Sequence, residues 1–183
     1  MAVLPSQRLL ILACSATKRD GPATMLAIER YDGPLWRTLR AVDPHGEKAQ
    51  VAFLSAHLGF RAAATPIAMY DAEMTRQMAA AMKAGNLGTR WPRPETQDQI
   101  EEVGQHPGMH IHRLCGYHGR QTFRDVALVG GHLYRDVMRH LVELFRIGGY
   151  VAGDARITEI NGPIGLMRRD LSLWIEGDGG EKG

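Results

Sequence analysis

An α/β fold, with a mostly parallel central sheet and helices on its faces, is predicted by three features of the chain. Continuous apolar runs bounded by polar turns occur at residues 8–14 (RLLILAC), Gln50–Ser55 (QVAFLS) and residues 125–129 (DVALV). Runs of this length read as strands covered on both faces. Amphipathic helical stretches lie between and after them, and that alternation marks a sheet with helices packed against it. The third feature is size. A chain of 183 residues with 44% hydrophobic side chains can bury one continuous core. The expected organisation is therefore one domain over residues 1–176, followed by a disordered tail at 177–183.

The elements follow in order. After the first strand, a polar stretch with Lys18, Arg19, Asp20, Gly21 and Pro22 leads to a short helix around Met25, Leu26 and Ile28. Pro34 opens the next helix, at a position where its missing N–H costs little. Leu35, Trp36, Leu39 and Val42 recur at helical spacing, and Asp43-Pro44 closes the helix. The second strand runs into a long loop over residues 56–70. Asp71 is the expected N-cap of a helix whose apolar stripe is Met74, Met78, Ala81 and Met82. Residues 85–120 are polar and rich in Pro and Gly, an excursion of the lid or flap kind with one short helix between Glu95 and Val103. Residues 109–114 read as a strand. The strand at 125–129 ends in Gly130-Gly131 and is followed by a helix with Leu133, Val137, Leu141, Leu144 and Phe145 on one face. A loop with Asn161, Gly162 and Pro163 then leads to a last helix carrying Leu166, Leu171 and Trp174.

Composition narrows the classes of function. The apolar run at residues 9–14 is too short to span a bilayer, and no signal-peptide cleavage site follows it. Cys14 and Cys115 lie far apart in the chain, which suits thiols in a reducing compartment rather than a disulfide framework. The expected location is the cytoplasm, with no membrane partner. Charge is nearly balanced, 22 basic against 20 acidic side chains, so nucleic-acid binding has to be argued locally.

Four groups of residues have the chemistry of a site. Cys14-Ser15-Ala16-Thr17-Lys18 leaves a buried strand where open α/β sheets place ligands. A lysine there binds phosphate or carboxylate, or acts as an amine nucleophile when desolvation lowers its pKa; the bland alternative is a solvated loop lysine. The glycine framework of a phosphate-binding P-loop is absent. Ser55 ends the second strand on the same edge, and Tyr70, Asp71 and Glu73 bring a phenol and two carboxylates to the start of a helix, where Asp71 could equally serve only as a cap. Gly130-Gly131-His132-Leu133-Tyr134 sets a glycine pair between strand and helix. Such a pair exposes helix amides to an anion, or is simply a tight turn. His110, His112, Cys115 and His118 are zinc-type residues whose spacing matches no common structural site, so no metal and no cofactor are expected.

The order of motifs resembles the YaaA peroxide-stress superfamily: LILACSATK, RYDGPLW, LSAHLGF, PIAMYDAEM and a Gly-Gly-x-x-Tyr. The matching positions are Lys18, Tyr31 with Gly33, Ser55 with Gly59, Tyr70 with Glu73 and Met74. Cys14-Ser15-x-x-Lys18 also resembles the lysine motif in the catalytic domain of archaeosine synthase, which acts on a 7-deazaguanine base in tRNA and is related in fold to uracil-DNA glycosylases. The resemblance covers about the first 75 residues, the Gly-Gly-x-x-Tyr and residues 161–174.

That resemblance implies a nucleobase-processing enzyme, an N-glycosidase or base-modifying enzyme acting on a nucleotide or on DNA or RNA. Lys18, Ser55, Asp71 and Glu73 are the expected catalytic groups. Cys14, Ser15, Tyr31, Gly33, Tyr70, Gly130, Gly131 and Tyr134 are the expected substrate-binding groups. N-glycosidic cleavage needs a carboxylate near the sugar, donors for the leaving base and a planar slot. A base in a polymer would have to be unpaired or flipped out. Amine transfer through Lys18 is a second chemistry. The competing class is a non-enzymatic, DNA-associated stress-response protein.

Overall fold

A computed structural model describes residues 3–92, 106–116 and 121–177 of the chain. The elements, in order, are β1 (Arg8–Ala13), β2 (Met25–Leu26), α1 (Ala27–Arg30), α2 (Pro34–Val42), β3 (Gln50–Ser55), β4 (Gly59–Ala62), β5 (Pro66–Ile67), α3 (Arg76–Lys83), α4 (Pro107–Leu114), β6 (Phe123–Val129), α5 (His132–Ile147), β7 (Val151–Ile160) and α6 (Ile164–Glu176). Five strands make one sheet in the order β4-β3-β1-β6-β7, and β2 pairs with β5 beside it. The β3-β1, β1-β6 and β6-β7 pairs are parallel, and β4 adds an antiparallel edge. The α/β class with a mostly parallel sheet is therefore as the sequence predicts.

Burial explains why β1 lies in the middle. Leu9, Leu10, Ile11 and Leu12 are all fully buried, and alternate residues feed the two faces of the sheet. Each such side chain contributes about 1.5–3 kcal/mol through its removal from water. One face is covered by α3, α4 and α5 over Leu9, Ile11, Phe123 and Leu128. The other is covered by α1, α2 and α6 over Leu10, Leu12, Phe53 and Val129. The strand order reverses at β1. The chain builds β3 and β4 on one side of it, then crosses back to lay β6 on the other. In open α/β sheets a crevice opens at such a reversal, outside the carboxyl ends of the two strands.

The amino-terminal end of the sheet is closed by a polar network. Asp125, 1% exposed, accepts hydrogen bonds from Arg8 (3.2 Å), Arg156 (2.8 and 3.0 Å) and the Trp174 indole (3.2 Å). Arg8 also donates to the carbonyls of Trp174 and Ile175, so the last turn of α6 is tied to β1 and β6.

Several expectations are corrected. The stretch 56–70 is not one loop, because Ser55 and Gly59 close a hairpin that pairs β4 with β3. Gly59 has φ 70°, and a Cβ there would lie 2.8 Å from Trp91. Asp71 is not the cap of α3. Thr75 is, its hydroxyl accepting from the Met78 amide at 3.1 Å. Residues 109–114 form a helix rather than a strand, since Pro107 stands in its first turn and His106 accepts from the Met109 amide. The ten-residue β7 lies where the sequence suggested only a connection. Leu166 is exposed, and Met167 takes its place in the core. Met74 is buried, while Met78 and Met82 are half-buried against the same core. The expected helix at 95–103 and the tail beyond Gly177 lie outside the described residues, as does His118. Among the described residues no helix is long and apolar enough to cross a membrane.

Candidate active site

The crevice at the strand reversal is present, a cleft of about 430 Å³. Its floor is the segment that leaves β1, including Cys14 and Ser15. One wall is the start of α2 at Gly33, the other is Gly130-Gly131 with Tyr134, and Ile164 and Met167 of α6 close the back. Tight contacts fix the floor. The Trp36 indole donates to the Ala13 carbonyl at 3.0 Å, and the Cys14 amide donates to the Leu54 carbonyl at 2.9 Å. A Cβ on Gly33 would collide with the Ser15 hydroxyl, and one on Gly130 would lie 2.7 Å from Ala13 Cβ. Only glycines let these three segments approach one another so closely.

Gly131 begins α5 without a side-chain cap, and the space over its Cα is open. The first amides of a sixteen-residue helix thus face the cleft side, where an anion is favoured by both hydrogen bonding and the helix dipole. Arg135 holds this turn from behind, donating to the Gly130 carbonyl at 3.0 Å and to Glu159 at 2.6 Å.

Beside the cleft lies a chain of polar groups around Tyr70. Ser55 donates to the Tyr70 hydroxyl at 2.8 Å, and the Tyr31 and Tyr70 hydroxyls are 2.5 Å apart. The Tyr134 hydroxyl is 3.4 Å from the Cys14 sulfur. Burial first, and then the nearby Cys14, push the Tyr70 and Tyr134 phenols far above the ordinary tyrosine range. Both are therefore neutral donors at physiological pH. Burial, followed by the adjacent Tyr70, does the same to Tyr31. The Lys18 amine packs 4.3 Å from the centre of the Tyr70 ring and 5.9 Å from that of Tyr31. A one-rung antiparallel bridge between Lys18 and Tyr31 sets its backbone there. Burial lowers the Lys18 pKa below the ordinary lysine value, with Cys14 and Asp71 opposing the shift. An amine with a lowered pKa is more often neutral at physiological pH, the form that can take a proton or attack as a nucleophile.

The structure thus gathers Cys14, Lys18, Tyr31, Ser55 and Tyr70, with Tyr134 joined through Cys14 and Asp71 through its charge on Lys18. Ser15, Gly33, Gly130 and Gly131 line the adjoining cleft. Two expected catalytic residues take other places. Ser55 is fully buried, and its oxygen also accepts from the amides of His57 and Leu58. This hydroxyl therefore ties the hairpin turn to Tyr70. Glu73 is exposed and joins none of the hydrogen bonds of this cluster. Two contributors escaped the sequence reading. His57 stacks on Tyr70 with ring centres 4.9 Å apart, and Arg135 braces the glycine turn. His57 lies inside the LSAHLGF motif, and Arg135 directly follows the Gly-Gly-x-x-Tyr, so adjacency to those motifs was the available signal.

Of the zinc-type residues that are described, His110 and His112 lie on the helix that replaces the expected strand, and Cys115 caps it. His110 is buried and its Nδ1 accepts from the Ala62 amide at 3.2 Å, whereas His112 is exposed. No family model matches the chain, and neither a curated protein nor a solved structure does.

Proposed function

We propose that the protein is a nucleobase-processing enzyme, acting on a nucleotide or on DNA or RNA to cleave an N-glycosidic bond or to modify the base. The observation that carries this reading is the adjacency of two half-sites at one strand reversal. The uncapped start of α5 at Gly131 suits a phosphate, and the partly desolvated Lys18 stands against the neutral phenol Tyr70, with the neutral phenol Tyr134 at Cys14 in the cleft. The anionic end of a nucleotide would lie at the glycine turn, and its base would lie towards Cys14 and Tyr134. Neutral phenols donate to the oxygens and nitrogens of a base as it gains negative charge on leaving. Asp71, whose charge reaches Lys18, is the carboxylate available to hold water or to stabilise positive charge on the sugar. The resemblance of Cys14-Ser15-x-x-Lys18 to a base-modifying motif points the same way. Desolvation of Lys18 also favours the second chemistry, amine transfer through that residue. The test is to incubate the purified protein with nucleosides, nucleotides and oligonucleotides carrying normal and modified bases, and to follow masses. Release of a free base or a defined change in base mass is expected. No change in any compound would overturn the reading.

A further inference from the structure

A second groove adjoins the cleft. α2 and α6 both begin at the cleft, at Pro34 and Ile164, and pack against each other as they leave it. Between them runs a depression of about 510 Å³ lined by Arg37 and Thr38 of α2 and by Arg168, Arg169 and Ser172 of α6. Its charge is one-sided. On the α2 side, Asp32, the ion-pair partner of Arg37, is also bridged by Arg19 and Arg40. On the α6 side Asp170 pairs with Arg169, while Arg168 bonds to the Thr38 hydroxyl at 3.0 Å and to no carboxylate among the described residues. The groove is thus lined by three arginines, Arg37, Arg168 and Arg169, and by no carboxylate. The side chains of Arg37 and Arg169 are 60% and 63% exposed, so they are open to a partner.

We propose that this groove carries the phosphate backbone of a single-stranded nucleic acid whose base enters the cleft. The inference rests on the reading of the cleft as a nucleobase site and adds that its substrate is a polymer. Spacing supports it. Arg37 is three residues beyond Pro34, and Arg168 is four beyond Ile164, which is about 4.5–6 Å along each helix. That is within two stacked nucleotide steps of ~3.4 Å each. A strand leaving the cleft therefore meets its neighbouring phosphates at these guanidinium groups, whose planar fork suits phosphate oxygens. The strand must be single because a base reaches a recessed cleft only when it is unpaired or extruded.

The test measures fluorescence anisotropy of labelled 20-nucleotide DNA and RNA single strands and of a blunt DNA duplex, at several salt concentrations. The wild-type chain should bind at least one single strand several-fold more tightly than the duplex, and the stronger of the two arms names the sugar. Charge reversal in R168E/R169E should weaken strand binding at least tenfold and lower the slope of log affinity against log salt by about 2. R37Q, on the opposite wall, should weaken it several-fold. R76E, at the exposed start of α3 on the other face of the sheet, should bind within twofold of wild type. Binding unchanged in R168E/R169E, a loss of equal size in R76E, or a duplex bound as tightly as either strand would overturn the proposal. Its failure is separable from that of the enzyme reading. Groove-independent binding with base processing intact removes only the polymer inference, and groove-dependent binding with no base processed removes only the enzyme.

Discussion

His110 shows how one side chain ties stability to pH. It is buried between α4 and β4, and burial, together with the positive charges of Arg61 and Arg113, lowers its pKa from 6.5 to about 4. The folded protein therefore holds His110 neutral, while the unfolded chain takes up a proton near pH 6.5. Stability is fully present above pH 6.5, falls as pH drops towards 4 and levels off below it, a loss on the order of 3 kcal/mol. Urea denaturation at pH 7.5 and 4.5 should show it, and His110→Asn, which keeps an acceptor for the Ala62 amide, should flatten that part of the profile. An equal acid loss in the variant would assign the effect to other groups. Gly33 is a second single-residue test. Gly33→Ala places a methyl group against the Ser15 hydroxyl, so it should distort the cleft floor and cost at least tenfold in activity. A Gly33→Ala enzyme with wild-type kinetics would show that the Ser15–Gly33 approach is dispensable.

Caps and ends separate what was legible in single elements from what was not. Strands β1, β3 and β6 stand out in the sequence because both faces of each are buried, which leaves continuous apolar runs. β7 did not, because an edge strand has no such run. Gly153, Asp154 and Arg156 are exposed, and the register with β6 breaks between Phe123 and Asp125. For α3, the sequence reading named Asp71 as the cap, whereas Thr75 fills that position. Only the path of residues 71–75 distinguishes them. Thr75→Ala should therefore lower stability by about 1 kcal/mol and Asp71→Ala by much less, as read from denaturant midpoints. The reverse order would restore Asp71 as the cap. Asp125 belongs to the same scale, since it joins the start of β1 and the end of α6 to the middle of β7. Burial opposes its ionisation, but hydrogen bonds from Arg156, Arg8 and Trp174 outweigh burial and lower its pKa. Asp125→Ala leaves Arg8 buried without its carboxylate and should cost about 3–5 kcal/mol. A loss below 1 kcal/mol in thermal or chemical unfolding would show that the network contributes little to the fold.

For the molecule as a whole, the site was legible one strand end at a time, but its composition was not. Lys18, Ser55 and Gly130 each follow a buried strand, and parallel strands deliver their carboxyl ends to one edge, so their convergence could be read from the order of residues. The sequence could not show that Tyr70 would link Ser55 to Tyr31, that Cys14 would meet the Tyr134 hydroxyl, or that Glu73 would join no hydrogen bond of this cluster. Those outcomes depend on the 68–75 segment, which has no regular structure and therefore no periodicity to read. The central claim is that Lys18, held against Tyr70 at this edge, performs chemistry on a nucleobase. Its most direct test compares turnover by wild type, Lys18→Ala and Lys18→Arg on the same substrates, across pH, with melting temperatures measured alongside. Wild-type activity should rise with pH through an inflection below the ordinary lysine value. Lys18→Ala should lose at least a hundredfold with unchanged melting, and Lys18→Arg should give no rescue, because a guanidinium does not give up its proton. Wild-type rates in Lys18→Ala would contradict the central claim.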